Sequence, residues 1–199
     1  MKKIILFFLL ITLTGCNYIE LNNLSIIKSI SIDYYDNEYI INAEIISQIE
    51  QNHNIKTKIL KVNNQDLNKC FNELTKLSNK SIHYSHIDLL MVSSHLKKKQ
   101  YQEIFTYFVN HKDFRNDFLV ISADDAITIL EKSNYDEMEQ LMLNNRHPYL
   151  IRKSIEDVIK DFWERDEFTL SYFSYIDNSI TYSGNLEYKH NRIERTNNE

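Results

Sequence analysis

Glycine is almost absent from this chain: Gly15 and Gly184 are the only two in 199 residues. That scarcity excludes the glycine-rich loops that cradle phosphates, the dinucleotide-binding fingerprint and the nucleophile elbow, each of which needs glycines at fixed positions. Proline occurs once, at Pro148, so no proline-rich linker divides the chain. The two cysteines, Cys16 and Cys70, cannot supply a disulfide framework. The net charge of −5 excludes the basic footprint of a nucleic-acid-binding domain. The one strongly apolar run, Ile4 to Thr12 with only Thr12 polar, is too short to span a bilayer as a stable helix. What remains is a chain with 43% hydrophobic and 12% aromatic residues, enough to bury a core and too much for a disordered segment.

The apolar run has a setting. Lys2 and Lys3 precede it, and Leu13-Thr14-Gly15-Cys16 follow. A positive start, a short apolar stretch and small residues read as a secretory signal. The closing tetrapeptide looks like a lipobox, the processing site of bacterial lipoproteins. The expectation is cleavage between Gly15 and Cys16, with Cys16 carrying the lipid as the first residue of the mature chain. Loss of Lys2 and Lys3 takes the net charge from −5 to −7. Such a chain is anchored to a membrane without spanning it, and the lipid, not an electrostatic patch, does the tethering. Residues 17–23 are then a polar tether.

Beyond the tether, alternation predicts strands over Leu24–Asp33, Tyr39–Ile49 and Ile55–Val62, the first two joined by an Asp36-Asn37 turn. Leu67, Cys70, Phe71, Leu74 and Leu77 mark one face of a helix that starts at Asp66. Ser81–Tyr84 and Asp88–Val92 read as extended, Lys98–Asn110 as a helix, and Phe118–Ile121 as a buried strand. Ser122 is expected to cap a helix through Leu130, with Asp125 at its third position. Helices follow over Asp136–Asn144 and Ser154–Glu164, then strands over Phe168–Ile176 and Ile180–Tyr188 around an Asp177-Asn178 turn. Arg192–Glu199 is polar and shows no packing pattern. The expected architecture is α+β: one domain over residues 24–190, a mixed β-sheet flanked by helices, between residues 1–15 (signal), 16–23 (tether) and 191–199 (polar tail).

Chemistry-bearing residues do not converge. The seven histidines (His53, His83, His86, His95, His111, His147 and His190) form no HExxH pair. His83 and His86 are three apart in an extended segment, where they point to opposite faces. Asp124-Asp125 reads as a helix N-terminus, Glu137/Glu139 as a solvated face, and Lys97-Lys98-Lys99 as another. Trp163 belongs to a core or its rim, and Cys70 is a small core residue. No nucleophile, base and oxyanion-stabilising set can be assembled, so neither catalysis nor a cofactor or metal is expected.

Three stretches carry a resemblance. Gly15-Cys16, then Glu20-Leu21-Asn22-Asn23-Leu24-Ser25-Ile26-Ile27 and Ser31-Ile32-Asp33, form the first. Tyr84-Ser85-His86-Ile87-Asp88-Leu89-Leu90-Met91-Val92, leading through Ile104–Phe108 to Phe114-Arg115-Asn116-Asp117 and the next strand, form the second. Ile180–Tyr188, with Ser183-Gly184, is the third. Together they resemble the N-terminal domain of the Ger(x)C family (GerAC-like), the C-subunit lipoproteins of spore germinant receptors. Asn17-Tyr18 stands where the family has Trp-Asp, Glu20 lies one residue closer to the cysteine, and Ser31 replaces the glycine of Gly-Ile-Asp. Family members continue into C-terminal domains, and this sequence ends at Glu199, so the resemblance is to the N-terminal domain alone.

The resemblance implies a non-enzymatic subunit, palmitoylated on nitrogen and diacylglycerylated on sulfur at Cys16, on the outer face of the spore inner membrane. Its partners would be the polytopic A- and B-type receptor subunits. Glu20, Asp33, Tyr84, His86 and Arg115 are the family-motif residues; Tyr84, His86 and Arg115 either support the fold or face a partner. A stand-alone surface lipoprotein, solute-binding or accessory, and a non-functional remnant are the alternatives.

Overall fold

A computed structural model describes residues 24–49, 55–133, 137, 142 and 148–196. The signal, Cys16, Glu20, the tether, His53, His147 and the helix expected over 136–144 lie outside the described residues, save Glu137 and Met142.

Strand β1 (Leu24–Tyr35) sits inside the sheet and organises it. On one side it pairs antiparallel with β2 (Glu38–Ile49), which pairs with β3 (Ile55–Asn64). On its other side lie β4 (Ser81–His83) and β5 (Leu89–Ser93), both parallel to it. They occupy one line: Leu24 faces Ser81, and further along Ser29 faces Leu89. Residues 84–88 leave that line and return to it.

Beyond β5, β6 (Leu119–Ala123) and β8 (Glu167–Ile176) continue the parallel run; β7 (Lys153–Ser154) pairs antiparallel at the start of β6. β9 (Ser179–Lys189) and β10 (Arg192–Thr196) close that side antiparallel. The full order is β10-β9-β8-β6-β5-β1-β2-β3, with β4 on β1 and β7 on β6. Four parallel strands are thus flanked by an antiparallel meander on each side, the mixed α+β sheet the sequence predicts.

Four helices are described: α1 (Leu67–Leu77), α2 (Lys98–Asn110), α3 (Ala126–Lys132) and α4 (Ile155–Arg165). The main core lies between one face of the sheet and α1, α2 and α4; Ile30, Ile32, Leu90 and Val92 meet Phe71, Phe105 and Phe162 there. A smaller core under α3 takes the alternate residues Leu89, Met91, Ile121 and Ala123. Strict alternation along β5 and β6 sends one set of side chains to each core, as strands covered on both faces require.

Three hairpin turns are built without glycine. Asp36-Asn37, Asp177-Asn178 and His190-Asn191 all have positive φ at both positions, as in type I′ turns, which Asp, Asn and His tolerate best among residues with a side chain. Gly184 is different: an extra residue in β9 shifts the register at Tyr172/Phe173, and Gly184 beside it has φ of 122°, a region closed to other residues.

Two expectations need correction. Arg192–Glu199 is not a patternless tail, because Arg192–Thr196 forms β10 on β9, with Ile193 packed against the main core. Ser122 does not cap α3. It remains in β6, buried, its hydroxyl donating to Val92 O at 3.2 Å, while Asp125 is the cap and accepts from Thr128 N at 2.8 Å. The strand runs to Ala123 because it pairs there with Ser93 and Phe173.

Candidate functional site

Strand β1 gives the sheet two ends. One, where Leu24, β4 and the starts of β5 and β6 lie, is the proximal end, next to residues 17–23 in the chain. The other, where β1, β5, β6 and β8 finish, is the distal end.

The second stretch of motif residues falls at the proximal end. Tyr84 leaves the β4–β5 line and enters an aromatic cluster: its ring lies 4.7 Å from Phe114 and 6.0 Å from Phe71, centroid to centroid. Phe71 in turn stacks on Tyr107 at 4.3 Å, and Phe108 meets Phe114 at 4.9 Å. The Tyr84 hydroxyl is 3.3 Å from Thr75 Oγ1 and donates weakly to Phe71 O at 3.4 Å, and burial raises its pKa above the usual tyrosine value. Ile87, 1% exposed, is the other inward anchor. Between these anchors His86 is exposed on the turn, while His83 is half-buried on β4.

Asp88 fixes where the excursion ends. Its N–H donates to Lys28 O at 2.9 Å, its carboxylate takes the Lys28 ammonium at 2.8 Å, and its carbonyl accepts from Leu119 N at 2.9 Å. One residue therefore joins β1, β5 and β6. Arg115 is exposed next door and pairs with Asp117, Nε donating to Oδ1 at 2.8 Å; that pair raises the Arg115 pKa and lowers that of Asp117. Tyr84 is thus part of the core, whereas His86 and Arg115 point to solvent.

Asp33 lies at the other end, 2.7 Å from His95 Nε2. Near it sits a constellation that the sequence conceals. Arg195, on β10, donates to Ser94 Oγ at 2.8 Å, pairs with Asp124 at 3.0 Å and lies 4.7 Å from the centre of the Tyr172 ring. It fastens the last strand to the ends of β5 and β6. Asp124 also accepts from Ser174 Oγ at 3.1 Å, so of the Asp124-Asp125 pair only Asp125 serves the helix. The Ser93-Ser94-His95 run at a strand end is a weak signal of this cluster; Arg195 carries none, because its strand has a single apolar residue and no alternation.

Other candidates resolve individually. Cys70 is fully buried, and burial, reinforced by Glu73, pushes its thiol up to about 11. Trp163 is 53% exposed, with its ring edge-on to Phe162, and so belongs to the rim. Lys98 pairs with Asp166 at 2.8 Å and Lys99 reaches Glu103 at 3.7 Å, so the lysine cluster is a solvated, ion-paired helix start. A groove of about 380 Å³ between α1 and α2 is lined by polar side chains, among them Asn68, Gln102, Glu103 and His111. Among the described residues no three His, Cys, Asp or Glu side chains are grouped to hold a metal ion, and no helix is long and apolar enough to cross a membrane.

The comparison with known families decides the identity. Residues 17–175 match the family described as spore germination protein N-terminal domain. The chain belongs to that family. The match includes both the Tyr84–Asp88 excursion and the Asp33–His95 contact, so the proximal and distal ends are parts of one spore germination domain. Among solved structures, the crystal structure of the GerBC protein aligns with a TM-score of 0.40 at 10% identity, over 83% of this chain and 50% of that one. This chain therefore spans half the length of that protein. No curated protein sequence matches it.

Proposed function

We propose that this protein is a lipid-anchored, non-catalytic subunit of a spore germinant receptor. It would act on the outer face of the spore inner membrane beside the polytopic A- and B-type subunits. The observation that carries the reading is the family match over residues 17–175. Two features of the chain support it. Lys2-Lys3, the apolar run and Leu13-Thr14-Gly15-Cys16 have the order of a lipoprotein signal. The groups that could do chemistry are spent on architecture: the Cys70 thiol is buried with a raised pKa, Tyr84 is packed among aromatic rings, and Asp124 holds Arg195.

In this role the domain is an assembly and signalling component. A single acylated cysteine keeps it at the surface, and contacts with the membrane subunits make the attachment specific. The direct test is a pull-down of the epitope-tagged protein from detergent-solubilised inner membranes of dormant spores, read by mass spectrometry. Co-purification of two polytopic receptor subunits is the expected result. Recovery of intact protein without them would point to a stand-alone lipoprotein, and its absence from spores to a remnant. Cys16→Ala is expected to leave an unprocessed or released precursor; a mature, lipid-labelled membrane form of that variant would refute the anchor.

A further inference from the structure

We infer that the proximal end of the sheet, led by the α1–β4 corner at Leu77–Ser81, faces the bilayer, and that the distal end points away from it. The inference rests on acylation of Cys16 and adds what acylation alone does not say, namely which surface the membrane occupies.

Length excludes the reverse orientation. From Cys16 to Leu24 there are eight Cα steps, which reach at most about 28 Å when fully extended. Strand β1 runs from Leu24 to Tyr35, so the distal turn lies about 35 Å further along the sheet. To bring that turn to the bilayer, the tether would have to run back along the whole of β1, which exceeds its reach. Leu24 itself pairs with Ser81, so whatever holds Leu24 near the membrane holds the α1–β4 corner there too.

Charge favours the same placement. No Asp or Glu occurs from Leu74 to Ile87, a stretch that contains Lys76, Lys80, His83 and His86, in a chain with 28 carboxylate residues. At the proximal end Asp88 is paired with Lys28 and Asp117 with Arg115, whereas the distal turns carry Asp36, Glu38, Asp125 and Asp177 beside the Arg195-paired Asp124. An anionic headgroup surface repels the acidic body but accepts this corner. Leu77, 49% exposed beside Lys76, adds an apolar side chain at the leading tip.

The test uses the protein expressed from its full sequence in a lipoprotein-processing host, with a fluorescent amino acid replacing either Lys80 or Asp36, both exposed. The purified protein is reconstituted in vesicles of phosphatidylglycerol and phosphatidylethanolamine that contain an acceptor-labelled lipid. Its intact mass is measured first. An acylated mass, with energy transfer at least about twofold stronger from position 80 than from position 36, is expected from their separation along β1. Equal or reversed transfer from an acylated protein would overturn the orientation and leave the anchor standing. An unacylated mass would overturn both, so the two failures are distinguishable.

Discussion

Truncation of Tyr84 to alanine should cost about 2–3 kcal/mol, because the ring fills the space between Phe114 and Phe71 while remaining partly open to solvent. Removing only its hydroxyl should cost much less. The two oxygen contacts, at 3.3 and 3.4 Å, are long, and a good hydrogen bond contributes about 1 kcal/mol net. For a domain of this size each kcal/mol moves the melting temperature by roughly 2–4 °C. Tyr84→Ala should therefore melt about 5–10 °C below wild type, and Tyr84→Phe within about 2–3 °C of it. His86→Ala, two residues away on an exposed turn, should leave the melt unchanged. The assay is thermal and urea unfolding of the three variants by circular dichroism. If Tyr84→Phe is as damaging as Tyr84→Ala, the hydroxyl and not the ring anchors the turn. If His86→Ala melts as low as Tyr84→Ala, the division between an inward anchor and an exposed tip is wrong.

Arg195→Ala should destabilise by about 1–2 kcal/mol, since the ion pair is half-exposed and the stacking on Tyr172 is of modest worth. Its more telling effect should be faster amide exchange along β10 with little change in β5 and β6; uniform acceleration would show that Arg195 is not a local fastening. Cys70 should resist thiol reagents in the native protein and react at once in denaturant; native reactivity would contradict its burial. The same thiol predicts an alkaline loss of stability. Its folded pKa is about 11, above the unfolded value near 9, so the native state keeps a proton that the unfolded chain loses. Stability is then full below about pH 9 and falls as pH rises towards about 11, and Cys70→Ala should flatten that slope. An unchanged slope in the variant would assign it to the buried tyrosines Tyr39, Tyr101 and Tyr107, whose pKa values burial also raises.

The sequence discloses an element when its burial is periodic. α1 is legible because Leu67, Cys70, Phe71 and Leu74 are all buried at helical spacing, and Asp66 accepts from the N–H groups of Asn68 and Lys69 where the pattern starts. β10 is not, because an edge strand buries little. Ile193 is its only apolar residue, and the charges of Arg192, Glu194 and Arg195 read as a tail. Asp125 displaced Ser122 as a cap for a long-range reason: pairing with strands about 30 residues upstream and 50 downstream keeps Ser122 extended. Strand order is hidden for the same cause, since no local pattern tells β1 that β5 lies beside it. At the motif, the residues were visible but their roles were not. Tyr84 and His86 stand two apart, and only the excursion from the β4–β5 line turns one ring inward and leaves the other outside.

The seam between β1 and β5 also has a consequence for time. Ser29 meets Leu89 across 60 residues of intervening chain, and Ser122 meets Tyr172 across 50, whereas β1–β2 and β8–β9 close through two-residue turns. Loop-closure entropy makes the hairpins cheap to form and the parallel centre expensive. The two meanders should appear first, each exposing a bare apolar edge until β5 and β6 fill the gap between them. That interval is when a newly made chain is most exposed to aggregation and proteolysis. Asp88, which ties β1, β5 and β6 together through its backbone and carboxylate, stands where the late, slow joining of the two halves is completed.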